Sequence, residues 1–179
     1  MSTCEKTAGQ AFTAGETVRI AGVVRESIVD GPGLRFAVFA QGCPHRCPGC
    51  HNESTHDFSG GYDCELSKLL KEIDKNPLLS GVTFTGGEPF CQPEPFYKLG
   101  LAIKEKGLDL AAYSGYTLKE LLELSRKDEF IAKLLGILDY LVDGPFLLEE
   151  RDLTLEFRGS RNQRFLTMAE IRNEAPEIS

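Results

Sequence analysis

Short apolar segments alternate with helical patterns along most of this chain, and this alternation restricts its fold more than any other sequence feature. The strand-like segments are residues 18–24, 34–39, 81–85, 108–113 and 137–142. Between the later strands, apolar residues recur at the i, i+3, i+4 spacing of helices that bury one face. These stripes begin at Leu66, Phe96, Leu118 and Phe130. The pattern predicts an α/β fold in which right-handed helical crossovers join parallel strands.

The length of the chain limits how such a sheet can close. A complete eight-stranded β/α barrel needs roughly 250 residues, and this chain has 179. We therefore predict a partial, open β/α barrel of about five or six parallel strands. It should form one domain over residues 17–168, between a mobile N-terminal lead-in at residues 1–16 and a C-terminal tail at residues 169–179.

Groups with chemical potential directly follow the predicted strands. A cysteine-rich loop follows residues 34–39, and a Gly-Gly-Glu-Pro turn follows residues 81–85. Ser114 and Asp143 follow the next two strands. Taken alone, the Gly-Gly-Glu-Pro segment and Asp143 would be ordinary turn residues. Ligands of open α/β sheets bind beyond the carboxyl ends of the strands, however, so we expect these groups to face one site.

The cysteine-rich loop has the clearest metal-binding pattern in the sequence. Residues 43–50 read CPHRCPGC, which gives Cys43, Cys47 and Cys50 the spacing C-x3-C-x2-C. Thiolates bind iron–sulfur clusters, zinc and copper. A [4Fe–4S] cluster ordinarily takes four cysteines, so three ligands would leave one iron open to an external group. The alternative is a structural zinc site completed by His45 or His51.

Composition narrows the cellular setting and the classes of partner. The net charge of −7 argues against nucleic-acid binding, which depends on cations that neutralise phosphates. No apolar run is long enough to cross a membrane, and the first residues lack the apolar region of a signal peptide. The crowding of three cysteines into one loop favours a metal site in a reducing compartment over a disulfide framework. We expect a cytoplasmic protein whose partners are proteins and small molecules.

The cysteine loop and its surroundings resemble a known family. Residues 43–50 match the signature of radical S-adenosylmethionine (radical SAM) enzymes. With residues 30–36 (DGPGLRF) and His51-Asn52, the segment resembles the glycyl-radical-enzyme activases. Residues 141–146 (LVDGPF) and 157–163 (FRGSRNQ) resemble the branch that activates anaerobic ribonucleoside-triphosphate reductase. The resemblance extends over about residues 18–168.

The resemblance implies roles for particular residues. Cys43, Cys47 and Cys50 would bind a [4Fe–4S] cluster, and Asp30 either caps a turn or contacts the substrate glycine loop or the cofactor. S-adenosyl-L-methionine would be contacted by Gly49, Cys50, His51, Gly86, Gly87, Glu88, Pro89, Ser114 and Asp143. The Gly-Gly-Glu-Pro segment would meet the amino group of the methionine moiety.

Two positions depart from the pattern of related activases. The aromatic residue that commonly precedes the third cysteine is Gly49 here, as in the reductase-activating branch, so adenine must stack elsewhere. Pyruvate formate-lyase activases carry an Asp-Thr pair, near a monovalent cation, where this chain has Tyr113-Ser114. Because Tyr113 stands in place of the aspartate, the sequence argues against that cation site. Residues 158–163 would be either a solvated loop or a docking site for the reductase.

The activity implied by the resemblance is that of an oxidoreductase which generates a glycyl radical. A flavodoxin or ferredoxin would reduce the cluster, and cleavage of S-adenosylmethionine would give a 5′-deoxyadenosyl radical that removes a hydrogen atom from a glycine of the reductase. No acid–base residue is needed, because the chemistry belongs to the cofactors. Cys4, Cys64 and Cys91 fit no ligand spacing with the main loop.

Other functions stay open on sequence grounds. The chain could activate a different glycyl-radical enzyme, such as pyruvate formate-lyase, or could act on a free metabolite by the same radical chemistry. A third alternative is a zinc-stabilised interaction module with no enzymatic activity.

Overall fold

The computed structural model describes residues 12, 13 and 15–178, which form one seven-stranded sheet packed against five helices. The strands are β1 (Thr17–Ser27), β2 (Arg35–Ala40), β3 (Tyr62–Glu65), β4 (Gly81–Gly86), β5 (Asp109–Tyr113), β6 (Tyr140–Asp143) and β7 (Arg164–Thr167). The helices are α1 (Leu66–Ile73), α2 (Pro93–Glu105), α3 (Leu118–Ser125), α4 (Glu129–Ile137) and α5 (Met168–Glu174). The strand order is β3-β1-β2-β4-β5-β6-β7.

The predicted α/β fold is confirmed, but the sheet is mixed. Strands β2, β4, β5 and β6 are parallel, whereas β1, β3 and β7 pair antiparallel with their neighbours. The expectation of about five or six parallel strands is therefore wrong in number. The reason lies in the link between β1 and β2, residues 28–34, which is shorter than the dozen or so residues that a parallel crossover needs.

Helix boundaries follow the signals in the sequence closely. Thr117 caps α3 through the predicted capping box, in which its side chain and that of Glu120 each bond the other residue's backbone N–H. Helix α2 gives way to a turn that ends at Gly107, whose φ of 76° is left-handed. Strand β6 begins at Tyr140, later than predicted, because Ile137 still belongs to α4.

The two faces of the parallel strands have different compositions because successive side chains point to opposite sides. Phe36 and Val38 of β2 and Phe84 of β4 belong to the hydrophobic core shared with the helices. On the opposite face, Arg35 of β2 and Thr83 of β4 are also buried, but Arg35 Nε donates a hydrogen bond to Thr83 Oγ1. The helix-covered face thus holds the apolar core, and the polar face is free to build a site.

Both chain ends of the described region pack on this core. Phe12 is buried and Glu16 forms an ion pair with Lys98 at 2.8 Å, whereas residues 1–11 and 14 of the predicted lead-in lie outside the described residues. At the other end, α5 begins at the last residue of the predicted domain and continues into the predicted tail, and Ile171 has no exposed surface. Among the helices of the described region, none has both the length and the apolar character needed to cross a membrane.

The packing of α5 predicts a stability effect at Ile171. Replacing Ile171 by alanine should lower the free energy of unfolding by about 3 kcal/mol, because it leaves a cavity in the core. Urea denaturation followed by circular dichroism measures this value. Ile28→Ala is the matched control, since Ile28 is 75% exposed and its loss should change the value by less than about 0.5 kcal/mol. Equal losses in the two variants would show that α5 contributes no core packing.

Candidate functional site

A cavity of about 920 Å³ opens at the carboxyl ends of the parallel strands. Its wall includes the residues that end β4 and β5, the cysteine loop, and the long segment between β6 and β7. The predicted site residues on this wall are Asp30, Cys43, Cys47, Cys50, His51, Gly86, Gly87 and Ser114. Gly49, Glu88 and Asp143 are adjacent in sequence to wall residues, whereas Pro89 is two residues from Gly87; none of the four lines the cavity. Most of the predicted site residues therefore lie on one cavity wall, at the carboxyl ends of the parallel strands.

The cysteine loop curls because several of its residues adopt left-handed backbone angles. The φ values are 94° at Gly42, 47° at Arg46 and 73° at Gly49. Cys43 is buried, Cys47 and Cys50 are half-buried, and all three are free thiols. A loop that turns back on itself in this way presents three sulfur atoms to one cavity. The donor set therefore fits a cluster that is bound by three thiolates.

The zinc alternative requires a closer set of donor atoms than the cluster does. A structural zinc site gathers four donor atoms within about 2.3 Å of one point. Across residues 12, 13 and 15–178, no group of three or more His, Cys, Asp and Glu side chains is placed to hold a single metal ion. A cubane makes a different demand, because each thiolate binds a different iron atom.

Two of the sulfur atoms, those of Cys43 and Cys50, lie in surroundings that raise the pKa of the thiol. Burial raises the pKa of the Cys43 thiol, although the backbone N–H groups of His45 and Arg46 oppose this shift. Burial also raises the pKa of Cys50, whose sulfur accepts a hydrogen bond from Asn52 N at 3.4 Å. Because only thiolates bind metal, loading the loop must release protons.

The Gly86-Gly87 turn lies directly against the start of the cysteine loop. Gly87 N donates to Ala40 O at 2.8 Å, and a Cβ at Gly87 would lie 2.9 Å from the same carbonyl oxygen. Gly86 has a φ of 88°, and a Cβ there would lie 2.7 Å from Phe39 Cα. Only glycine fits both positions. The turn therefore brings bare backbone to the cavity wall, as a close approach of a ligand requires.

Glu88 is fully buried and its carboxylate is bonded to protein groups. Its oxygens accept hydrogen bonds from Phe90 N, Ser114 Oγ and Gly115 N at 3.1, 3.1 and 2.8 Å. His45 Nε2 donates to the same carboxylate at 3.1 Å. Ser114 lines the cavity, but its hydroxyl is held between Glu88 and the Tyr116 N–H. Glu88 thus connects the turn, the end of β5 and the cysteine loop.

Asp143 is 1% exposed and is bonded to the scaffold. Its carboxylate accepts from Leu118 N at 2.7 Å, at the start of α3, and from Arg164 Nε at 2.9 Å. The hydrogen bond to Asp143 raises the pKa of the Arg164 guanidinium. The residue after it, Gly144, lines the cavity. A cofactor contact from Asp143 therefore stays a prediction, since its side chain holds α3 and β7 in place.

The loop around Asp30 is fixed to the polar face of the sheet. Asp30 Oδ2 accepts from Ser27 Oγ at 2.5 Å, and Asp30 O accepts from Thr83 Oγ1 at 2.7 Å. Arg35, with no exposed surface, donates to Thr83 Oγ1 and to Pro32 O. Arg35 Nη1 also lies 2.6 Å from Asp109 Oδ1, an ion pair without hydrogen-bond geometry. These contacts hold Asp30 on the cavity wall.

The segment between β6 and β7 contributes groups that the sequence did not assign to the cavity. Residues 158–163 were expected to be a solvated loop or a docking site, yet Arg158 lines the cavity. Among the described wall residues it is the only lysine or arginine, and its Nε has no hydrogen-bond partner within the described region. Gln163 holds the segment by accepting from Gly159 N at 2.9 Å. The sequence could not predict this position, because a long loop has no apolar periodicity from which the placement of a residue can be inferred.

The same segment covers the position of the missing aromatic residue. A Cβ at Gly49 would lie 2.9 Å from Leu148 Cδ1, so Leu148 fills the space beside this glycine. The ring of Phe146, which lines the cavity, lies 5.6 Å from the ring of His51 between centroids. Phe146 and Leu148 therefore place apolar surface beside the third cysteine.

Comparisons with known proteins give one matching family model and several relatives. A family model described as a 4Fe-4S single cluster domain matches residues 29–166. The anaerobic ribonucleoside-triphosphate reductase-activating protein of Vibrio cholerae is 37% identical over 144 residues, covering 76% of this chain and 89% of the relative. Its namesake from Escherichia coli K12 is 34% identical over 146 residues, covering 76% and 90%. The pyruvate formate-lyase-activating enzyme of Clostridium pasteurianum is 38% identical over 114 residues, covering 59% and 48%.

The contacts of Asp143 predict that its replacement affects stability more than cofactor binding. Asp143→Asn should lower the free energy of unfolding by about 1–2 kcal/mol, because the charge opposite the partly exposed Arg164 is lost. Asp128→Asn is the matched control: Asp128 caps α4 by accepting from Phe130 N, and asparagine caps equally well. Urea denaturation measures both. Unchanged stability with weakened binding of S-adenosylmethionine would instead make Asp143 a cofactor contact.

Proposed function

The chain belongs to the family of anaerobic ribonucleoside-triphosphate reductase-activating proteins, and we propose that it generates a glycyl radical on such a reductase. The observation that carries this proposal is the meeting of three free thiols and a Gly-Gly turn on the wall of one cavity. The seven-stranded sheet would serve as the partial barrel of a radical SAM enzyme. Flavodoxin or ferredoxin, the electron donor that the family resemblance implies, would act in the cytoplasm.

We assign the ligands of the [4Fe–4S] cluster to Cys43, Cys47 and Cys50. The family model supports a single 4Fe–4S cluster, and these are the cysteines of the described region that line the cavity. Cys64 is half-buried and Cys91 is exposed, and neither lines it. Three ligands for four irons leave one iron open, to which the amine and carboxylate of S-adenosylmethionine would bind.

The cavity wall supplies groups that suit the rest of S-adenosylmethionine. Gly86 and Gly87 would lie along the methionine moiety, and the Arg158 guanidinium would pair with its carboxylate. Phe146 and His51 would form the apolar wall for adenine in place of the missing aromatic residue. When bound, the two cofactors together supply the radical that removes a hydrogen atom from the partner glycine. The protein holds them in position and excludes water.

The mouth of the cavity has an apolar rim that a polypeptide partner would cover. Ile28, Val29 and Leu153 line the cavity and are 75%, 70% and 76% exposed. Asp30 lies on the adjacent wall, where a glycine loop entering across this rim would reach it. Large exposed apolar side chains clustered at a cavity are typical of interaction sites. We therefore place the reductase across this rim.

Activation of a pyruvate formate-lyase-type enzyme is the second candidate. The similarity to the Clostridium pasteurianum activating enzyme supports it, but that match covers 48% of the relative, against 89% for the Vibrio cholerae protein. An assay for glycyl-radical formation separates the two candidate functions when both partner enzymes are offered to the chain.

The proposed activity predicts a partner-specific radical that depends on three cysteines. Anaerobically purified chain, reconstituted with iron and sulfide, reduced and mixed with S-adenosylmethionine, should produce 5′-deoxyadenosine and a glycyl radical on the reductase. Electron paramagnetic resonance detects the radical. Alanine at Cys43, Cys47 or Cys50 should reduce the signal at least 100-fold, because each replacement removes a cluster ligand.

The control variants are Cys64→Ala and Cys91→Ala, which should retain the activity of the parent chain. A chain that is loaded with iron yet forms no 5′-deoxyadenosine with either partner would contradict the proposal. A signal on pyruvate formate-lyase alone would favour the second candidate.

The position of Arg158 predicts a loss of cofactor affinity upon its replacement. Arg158→Ala should weaken binding of S-adenosylmethionine by about 10–100-fold, because a charge-assisted hydrogen bond in the cavity is lost. Equilibrium dialysis of the iron-loaded protein measures this affinity. Arg161→Ala in the same segment is the control, since its side chain is 59% exposed and it does not line the cavity. Equal affinities in the two variants would remove Arg158 from the cofactor site.

A further inference from the structure

Glu88 holds the cysteine loop on both sides of Cys43. Its backbone N–H donates to Gly42 O at 2.8 Å, and its carboxylate accepts from His45 Nε2 at 3.1 Å. Gly42 precedes Cys43 directly and His45 follows it by two residues. The first cysteine is therefore positioned from the turn that ends β4, and not only by the loop that contains it.

His45 occupies a place that the neighbouring residues form for it. Its ring lies 4.3 Å from the ring of Tyr116 between centroids, in an edge-on arrangement at 71°. A Cβ at Gly115 would overlap the imidazole ring, so only glycine at this position leaves room for it. The side chain of His45 is 16% exposed. His45 is thus fixed by a hydrogen bond, an aromatic contact and a close backbone approach.

The oxygens of Glu88 are engaged with the protein. Oε2 accepts from Gly115 N, from Ser114 Oγ and from His45, while Oε1 accepts from Phe90 N and Ser114 Oγ. The carboxylate has no exposed surface, and the adjacent cavity wall is formed by the backbone of Gly86 and Gly87. A cofactor ammonium group could reach this carboxylate only by displacing one of its donors.

We propose that His45 is a positioning residue for the iron–sulfur cluster, which it serves by tying Cys43 to Glu88. In this arrangement Glu88 accepts hydrogen bonds from the protein and does not bind the amino group of the cofactor directly. The inference rests on the proposed cluster site, which it deepens. Hydrogen-bonding groups just outside the ligands of a metal site commonly change metal affinity by about 10–100-fold.

The test compares how fast the cluster is lost from variants of the full-length, reconstituted protein. His45→Ala should release iron to a chelator about 10–100-fold faster than the parent chain, as measured anaerobically by absorbance. His45→Gln, whose amide can donate from about the position of Nε2, should restore the rate to within about threefold. His56→Ala is the matched control, since His56 also lines the cavity and no hydrogen bond joins it to Glu88 within the described region.

A second measurement separates positioning from direct cofactor binding. Affinity for S-adenosylmethionine, expressed per remaining cluster, should stay within about threefold of the parent chain in His45→Gln and His45→Ala. Glu88→Gln should accelerate iron release, because an amide cannot accept from all the donors that surround the carboxylate. Circular dichroism melting of each iron-free variant shows whether its fold is retained, and Glu88→Gln carries the test if His45→Ala does not fold.

The possible outcomes are distinct. Iron release from His45→Ala at the parent rate, or equally fast release from His45→Gln and His45→Ala, would overturn the positioning role. Unchanged iron release with lost affinity for S-adenosylmethionine would instead make His45 a cofactor contact. Iron release needs neither cofactor nor partner, so the result stands even if no glycyl radical forms. A parent chain that takes up no iron would overturn both proposals.

Discussion

A buried carboxylate at the end of β4 fixes the geometry of the whole site. Glu88 has no exposed surface, and a charge in that position is costly unless hydrogen bonds surround it. Its donors come from different parts of the chain: Ser114 and Gly115 at the end of β5, and His45 in the cysteine loop. Moving any of these elements would leave the carboxylate with fewer partners. The cysteine loop is therefore held by the sheet even before any iron is bound.

The sequence is informative wherever one periodic signal decides the structure. Apolar periodicity located α1 to α4 and the parallel strands, and the capping box at Thr117 marked the start of α3. Strand ends then placed Cys43, Gly86 and Ser114 on one cavity. Periodicity cannot show which side of a strand end a carboxylate will face. Glu88 follows the buried strand β4 and Asp143 is the last residue of β6, yet both turn toward protein donors, and only tertiary structure decides that orientation.

The elements that the sequence missed share a different cause. Strand β3 is short and polar, and β7 is only half-buried, so neither has the continuous apolar run of a central strand. Their pairing is decided by neighbours that are distant in the chain. The segment between β6 and β7 has no strand and only one short 3-10 turn, so nothing in its pattern places Arg158 in the cavity. Long loops of this kind are commonly functional because they reach across a site that the sheet supports.

Gly49 illustrates how such a loop compensates for the absence of the aromatic residue that commonly precedes the third cysteine in other activases. The left-handed φ of 73° and the closeness of Leu148 leave no room for an aromatic side chain at this position. The backbone conformation that curls the cysteine loop at Gly49 is thus also one that excludes an aromatic side chain there. Phe146 reaches the cavity from the segment that carries Leu148, so apolar surface lost from the cysteine loop is supplied by the loop packed against it. Under the proposed function adenine would lie against this segment, and the two loops would act as one binding unit.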